Sequence, residues 1–239
     1  MGGVAFLTFA RCAGFAFRAP GFSHPSVPPA VRAGLALVLS IALMPAVRAA
    51  RAPDGAAFVF ALATEFALGA AIGIAASVLY DGVYAGGRAL DDYVGIRGSA
   101  PDAQIFAASG FGRIWSLTFT TGFFLLGGYR LLVFAFARSF ERVPPGGLVG
   151  ARDLYRFAVQ LPLDVVEAAL LVAGPAIALV FVMQVALGAL TRVIPRFASF
   201  TLSFPLMFAA ALVATLIAVP LLFPQSGQPW LNLPFSAAP

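Results

Sequence analysis

Two long apolar stretches constrain this chain more than any other feature. From Ala56 to Tyr80, a run of about 25 residues carries one charge, Glu65; a bilayer crossing takes about 20 apolar residues. From Phe157 to Leu190, a run of about 34 residues carries only Asp164 and Glu167, which is more than one crossing needs. Shorter runs lie at Val4–Phe17, broken by Arg11, at Ala30–Val47, at Ile114–Ala137 and at Thr201–Phe223. Charged residues make up only 10% of the chain and hydrophobic ones 61%, with mean hydropathy +0.94. A soluble domain carries about a quarter charged residues because its surface faces water. The expected fold is therefore an all-α membrane protein of about six hydrophobic helical segments, some broken or hairpin-like, forming a single integral membrane domain over residues 1–239.

The breaks between segments follow from proline and glycine. Pro20, Pro25, Pro28 and Pro29 enforce an extended connection after the first run. Gly127 and Gly128, with Arg130, interrupt the fourth run, and Gly174-Pro175 inside the longest one suggests a kink or a tight helical hairpin. Arg138–Arg156 reads as a polar linker around the turn Pro144-Pro145-Gly146-Gly147. Six plain crossings put Arg48, Arg51, Arg138, Arg142, Arg152 and Arg156 on one side. Arg18, Arg32, Arg88, Arg97, Arg113, Arg192 and Arg196 fall on the other, so the arginine bias does not orient the chain. Some segments are then not ordinary spanning helices.

Several function classes drop out. The fifteen basic residues are all Arg and are scattered between apolar runs, not clustered with aromatics, which excludes a nucleic-acid surface. A single cysteine, Cys12, excludes an internal disulfide, and a single histidine, His24, in a proline-rich stretch, argues against a His-based triad. No phosphate-cradling loop, nucleophile elbow or metalloprotease motif occurs. Asp81-Gly82 through Asp91-Asp92 shares fragments with the paired-Asp signature of phospholipid-synthesising phosphotransferases, without the regular Asp spacing that metal chemistry there requires. No enzymatic activity, metal or cofactor is expected.

Charges within apolar segments face a protein interior or a water path, because lipid does not solvate them. Glu65, Arg130, Asp164 and Glu167 are the candidates, as interhelical partners for arginine or, alternatively, as the relay of a small ion-coupled permease. Asp164 and Glu167 lie three apart, on one helical face. Gly69 and Gly73 have the small-xxx-small spacing that allows close helix approach, and Gly127 and Gly128 are further packing candidates. Between Asp81 and Arg113, Gly82, Gly86, Gly87, Gly95, Gly98 and Pro101 are expected to interrupt any helix, giving an exposed loop or a pore-lining element.

Several blocks in order resemble the FliR/SctT family, the export-gate proteins of flagellar and injectisome type III secretion. Pro20-Gly21-Phe22, Val27-Pro28 and Val31-Arg32-Ala33-Gly34-Leu35-Ala36-Leu37 resemble its N-terminal pattern; Glu65, Gly69, Gly73, Ala85-Gly86 and Leu90-Asp91 its third segment and the loop behind it. Phe124-Leu125, Gly127-Gly128-Tyr129, Ser139-Phe140 and Pro144 are similar to the fourth segment and its exit. Gly188-Ala189-Leu190, Arg192, Pro195, Phe200 and Phe204-Pro205 are similar to the C-terminal part. Tyr129 stands where flagellar members tend to have His, and Ala100-Pro101-Asp102 departs from their Asp-Pro, which leans towards the injectisome branch.

The resemblance implies a structural subunit of a protein-conducting channel in the bacterial inner membrane, multi-pass and within the secretion-system basal body. Its implied partners are FliP/SctR-like and FliQ/SctS-like membrane subunits, membrane lipid and exported unfolded polypeptides. The family's loop after the third segment acts as a plug. By correspondence that plug lies within Gly86–Ser109, with Gly86, Gly87, Asp91, Asp92, Gly95, Gly98, Pro101 and Asp102 as candidate gating residues.

Overall fold

The computed structural model describes residues 2–23, 27–47, 52–94, 110–147, 149–193 and 200–222. Among them the regular structure is entirely helical: α1 (Gly2–Arg18), α2 (Pro29–Leu43) with a 3-10 turn at Met44–Ala46, α3 (Ala56–Val94), α4 (Phe111–Leu125), α5 (Gly128–Arg142), α6 (Ala151–Val193) and α7 (Phe200–Leu222). His24, Arg48, Arg51, Arg97, Arg196, Pro195 and the plug candidates Gly95, Gly98, Pro101 and Asp102 lie outside the described residues.

The chain is an all-α membrane protein, but its helices are not six equal crossings. Two stretches are long and apolar enough to span a bilayer, Ala56–Val78 and Ala173–Val193; α4 and α5 add a third if counted as one bent span. α3 has 39 residues and α6 has 43, about 58 Å and 65 Å at 1.5 Å per residue, against a hydrocarbon core of about 30 Å. Each therefore runs far past its spanning stretch. That accounts for the failure of the arginine count, which presumes that each run ends at a membrane face.

Three expectations are corrected. Gly82, Gly86 and Gly87 do not break the chain: α3 continues through them to Val94. Interior glycine costs about 1 kcal/mol relative to Ala, a penalty that close packing can offset. Nor does Gly174-Pro175 form a hairpin, for α6 is continuous from Ala151 to Val193. The expected linker Arg138–Arg156 shrinks to the residues between Arg142 and Ala151. The break at Gly127 is as expected: Gly127 takes φ +75°, a left-handed conformation open to glycine, and caps α5.

The chain divides into two compact units. Among the described residues, the first holds those up to Val78 and from Phe123 to Pro162; the second holds those from Leu79 to Gly122 and from Leu163 onward. In the first, α1 packs on α2, and Phe15 stacks on Phe136 of α5 with ring centroids 4.1 Å apart. In the second, Phe111 of α4 meets Phe208 of α7 at 5.2 Å, and Gln184 of α6 approaches the Met207 sulfur at 3.5 Å.

Candidate functional site

In the first unit, α1 and α3 touch backbone to backbone, and three glycines make that possible. A Cβ on Gly69 would collide with the Arg11 carbonyl oxygen, and one on Gly14 with the Phe66 carbonyl oxygen. On Gly73 it would sit 2.8 Å from the Phe15 carbonyl oxygen. Gly69 and Gly73 thus act as the small-xxx-small spacing suggests, with Gly14 as their counterpart on α1.

That close approach brings Arg11 onto Glu65. The guanidinium donates twice to the carboxylate, Nε to Oε2 at 2.5 Å and Nη2 to Oε1 at 2.9 Å, with side chains 0% and 1% exposed. Two further bonds complete the set. Arg11 Nη1 donates to the Ser139 carbonyl at 3.3 Å, and the Gly146 backbone N–H donates to Glu65 Oε1 at 2.8 Å. The guanidinium also lies 4.4 Å from the centre of the Phe140 ring. One buried pair therefore ties together α1, α3, α5 and the Pro144–Gly147 turn. Burying a charge costs several kcal/mol unless it is paired and hydrogen-bonded, and here both conditions hold.

Arg11 is the residue that run-counting misses, since it looks only like an interruption of the first segment. The available signal was reciprocal: one arginine in one apolar run and one carboxylate in another each need a partner. Arg130, Asp164 and Glu167 behave differently, for all three are exposed on the chain's own surface. The Arg130 Nε donates to the Tyr129 hydroxyl at 3.1 Å. The Asp164 carboxyl is raised from its ordinary value by partial burial first and the Glu167 charge second. The mid-span carboxylate a permease relay would need is already committed, to Arg11 and Gly146.

The second unit is organised about Asp91. Its carboxylate, 3% exposed, accepts the first two free amides of α4, from Phe111 at 2.7 Å and Gly112 at 3.2 Å. The residue in the N-cap position is Gly110, whose carbonyl accepts from Ile114 at 3.1 Å but which has no side chain to cap with. Asp91 supplies the cap from another helix, where an anion is favoured by about 0.3–1 kcal/mol, or up to about 2 kcal/mol when partly buried. Burial pushes the Asp91 carboxyl above its ordinary range, against the pull of the two amides and of Arg88. Space there is tight: a Cβ on Gly87 would lie 2.6 Å from the Gly112 Cα, and one on Gly110 (φ +81°) would strike Asp91.

Gly82 and Gly86 play the same part against α6. A Cβ on Gly82 would lie 2.5 Å from the Ala168 Cβ, and one on Gly86 2.8 Å from the Ala169 carbonyl oxygen. Four candidate gating residues are therefore helical: Gly86, Gly87 and Asp91 are helix-contact residues, and Asp92 is exposed on α3. Gly127 is likewise a turn residue, whereas Gly128 packs, with its Cβ position 2.8 Å from the Phe123 ring. Among the described residues no cluster of His, Cys, Asp or Glu is suited to hold a metal ion.

The comparison with known proteins is decided over nearly the whole chain. Residues 3–232 match the family described as bacterial export proteins, family 1. The chain belongs to that family. It is also 25% identical over 212 residues to the flagellar biosynthetic protein FliR of Escherichia coli (strain K12), covering 86% of this chain and 80% of that protein.

Proposed function

We propose that this chain is a structural subunit of the type III export gate in the bacterial inner membrane, forming part of the wall of a protein-conducting channel and its plug. The match to bacterial export proteins over residues 3–232 carries this reading. Two geometric features support it. The helices α3 and α6 far outrun a bilayer, and large apolar side chains such as Leu154, Tyr155, Val159 and Leu163 stand exposed at the start of α6, outside its spanning stretch. Such a surface is suited to neighbouring subunits rather than water. The partners in this reading are the FliP/SctR-like and FliQ/SctS-like subunits, and the cargo is unfolded polypeptide passing through the assembled gate. The injectisome branch is preferred on Tyr129 and Ala100-Pro101-Asp102. No catalytic residue is assigned.

The plug in this reading begins after Val94 and not at Gly86, because α3 is helical up to that point. The test is a strain in which the chromosomal gene is replaced by one lacking Gly95–Asp102. Increased ion leakage with the complex still assembled is the expected result, and unchanged leakage and secretion would sink the plug. Normal secretion in a strain lacking the whole chain would sink the export reading itself.

A further inference from the structure

The Asp91 junction has more in it than a helix cap requires. We propose that Asp91 is a releasable clamp: its carboxylate pins the first turn of α4 to the end of α3 and holds the resting arrangement of the export gate. In this role Asp91 is a positioning residue, and the proposal rests on the export-gate reading above.

Three observations carry it. First, at the first turn of α4 the attachment is polar and made by one side chain, while further along the two helices Tyr80 of α3 meets the Ser116 hydroxyl at 3.0 Å and the Phe119 ring at 5.9 Å. The carboxylate takes both the Phe111 and Gly112 amides, and α4 has no acidic residue of its own in its first turn. Water can replace each of these bonds when the helices part, so the contact breaks without leaving an orphaned group. Second, the surfaces around the carboxylate do not interlock. Gly87 faces Gly112 and Gly110 faces Asp91, so no side chain of those glycines keys one helix into the other. Helices locked by packing alone interdigitate their side chains, and separating them is correspondingly costly.

Third, the clamped arrangement carries a cost that release would relieve. The Asp91 charge is held at 3% exposure, against desolvation, the largest influence on it. The clamp also has a path outward: Phe111, whose amide it holds, places its ring on Phe208 of α7. The turn of α4 that Asp91 holds is thus also in contact with α7 within the same unit.

The experiment uses the full-length chain in its assembled membrane complex. Asp91→Asn keeps the side-chain size but presents an amide NH2 to one of the two α4 donors. Asp92→Asn removes the same charge from the exposed neighbour and serves as control. Two quantities are read: hydrogen exchange of the Phe111 and Gly112 amides, and ion leakage through the complex in vesicles. The expected result is exchange at least about tenfold faster in Asp91→Asn than in Asp92→Asn, with greater leakage and the complex assembled. Equal exchange in the two variants overturns the clamp. Faster exchange without greater leakage overturns its control of the gate while leaving the export reading standing. Failure of both Asp91→Asn and Asp91→Ser to assemble makes Asp91 a folding residue and also overturns the proposal.

Discussion

The Arg11–Glu65 pair allows a prediction with an internal control. Removing either partner leaves an uncompensated charge at a position less than 2% exposed, and such losses cost about 3–5 kcal/mol. Against a total stability of about 5–15 kcal/mol, either Arg11→Met or Glu65→Leu alone should deplete the folded chain severely. Replacing both should not. Once both charges are gone, the groups around them remain satisfied. The Ser139 carbonyl still accepts the Val143 N–H at 2.9 Å, and the Gly146 N–H is on an exposed residue that water reaches. The methionine sulfur also replaces the guanidinium against the Phe140 ring with a favourable contact. The double variant should recover at least about 2 kcal/mol relative to the sum of the singles. Thermal unfolding of the purified chain in detergent, together with its abundance in the membrane, measures all three variants. Strict additivity, or single losses below about 1 kcal/mol, would refute the claim that these charges depend on each other.

The remaining predictions separate contact glycines from free ones and packing from relay chemistry. Gly69→Ala should part α1 from α3 at a cost of about 1–3 kcal/mol or more, because the new methyl meets the Arg11 carbonyl; Gly188→Ala, with open space around it, should be neutral or slightly stabilising in the isolated chain. Both are read by protease resistance in detergent. Gly86→Ala and Gly87→Ala should loosen the second unit and speed amide exchange at the start of α4, since the added methyl meets backbone in each case. If these glycines were hinges instead, alanine would slow exchange there. Neutralising both Asp164 and Glu167, exposed on α6, should abolish no solute uptake by vesicles containing the chain alone, since none is expected of wild type. Uptake that is present in wild type and lost in the double variant would restore the permease reading.

The apolar runs located the helical segments because apolar length is the first requirement of a membrane helix, and Ala56–Val78 and Ala173–Val193 fall inside the two longest runs. Helix ends were less legible. Gly82, Gly86 and Gly87 look like breakers when weighed by intrinsic propensity, which prices a glycine alone on its helix. Here each is opposed by Ala168, Ala169 or Gly112, partners far away in sequence, and close backbone approach repays the propensity deficit. The same blindness to partners hid Arg11 and the cap at Asp91, whose bonds to α1's neighbour and to α4 span 54 and 20 residues of sequence. The error has a consequence for mechanism. Assigned to a loop, these glycines supply flexibility; assigned to helix contacts, they supply close fit, and the buried polar bonds of Asp91 are the part of the junction that water can replace once the helices part. In the clamp reading Asp91 governs release at the first turn of α4 while the buried Phe111, Trp115 and Phe119 hold the body of that helix, so Asp91→Asn should raise leakage with the chain still folded, whereas Trp115→Ala should cost about 3–5 kcal/mol of stability.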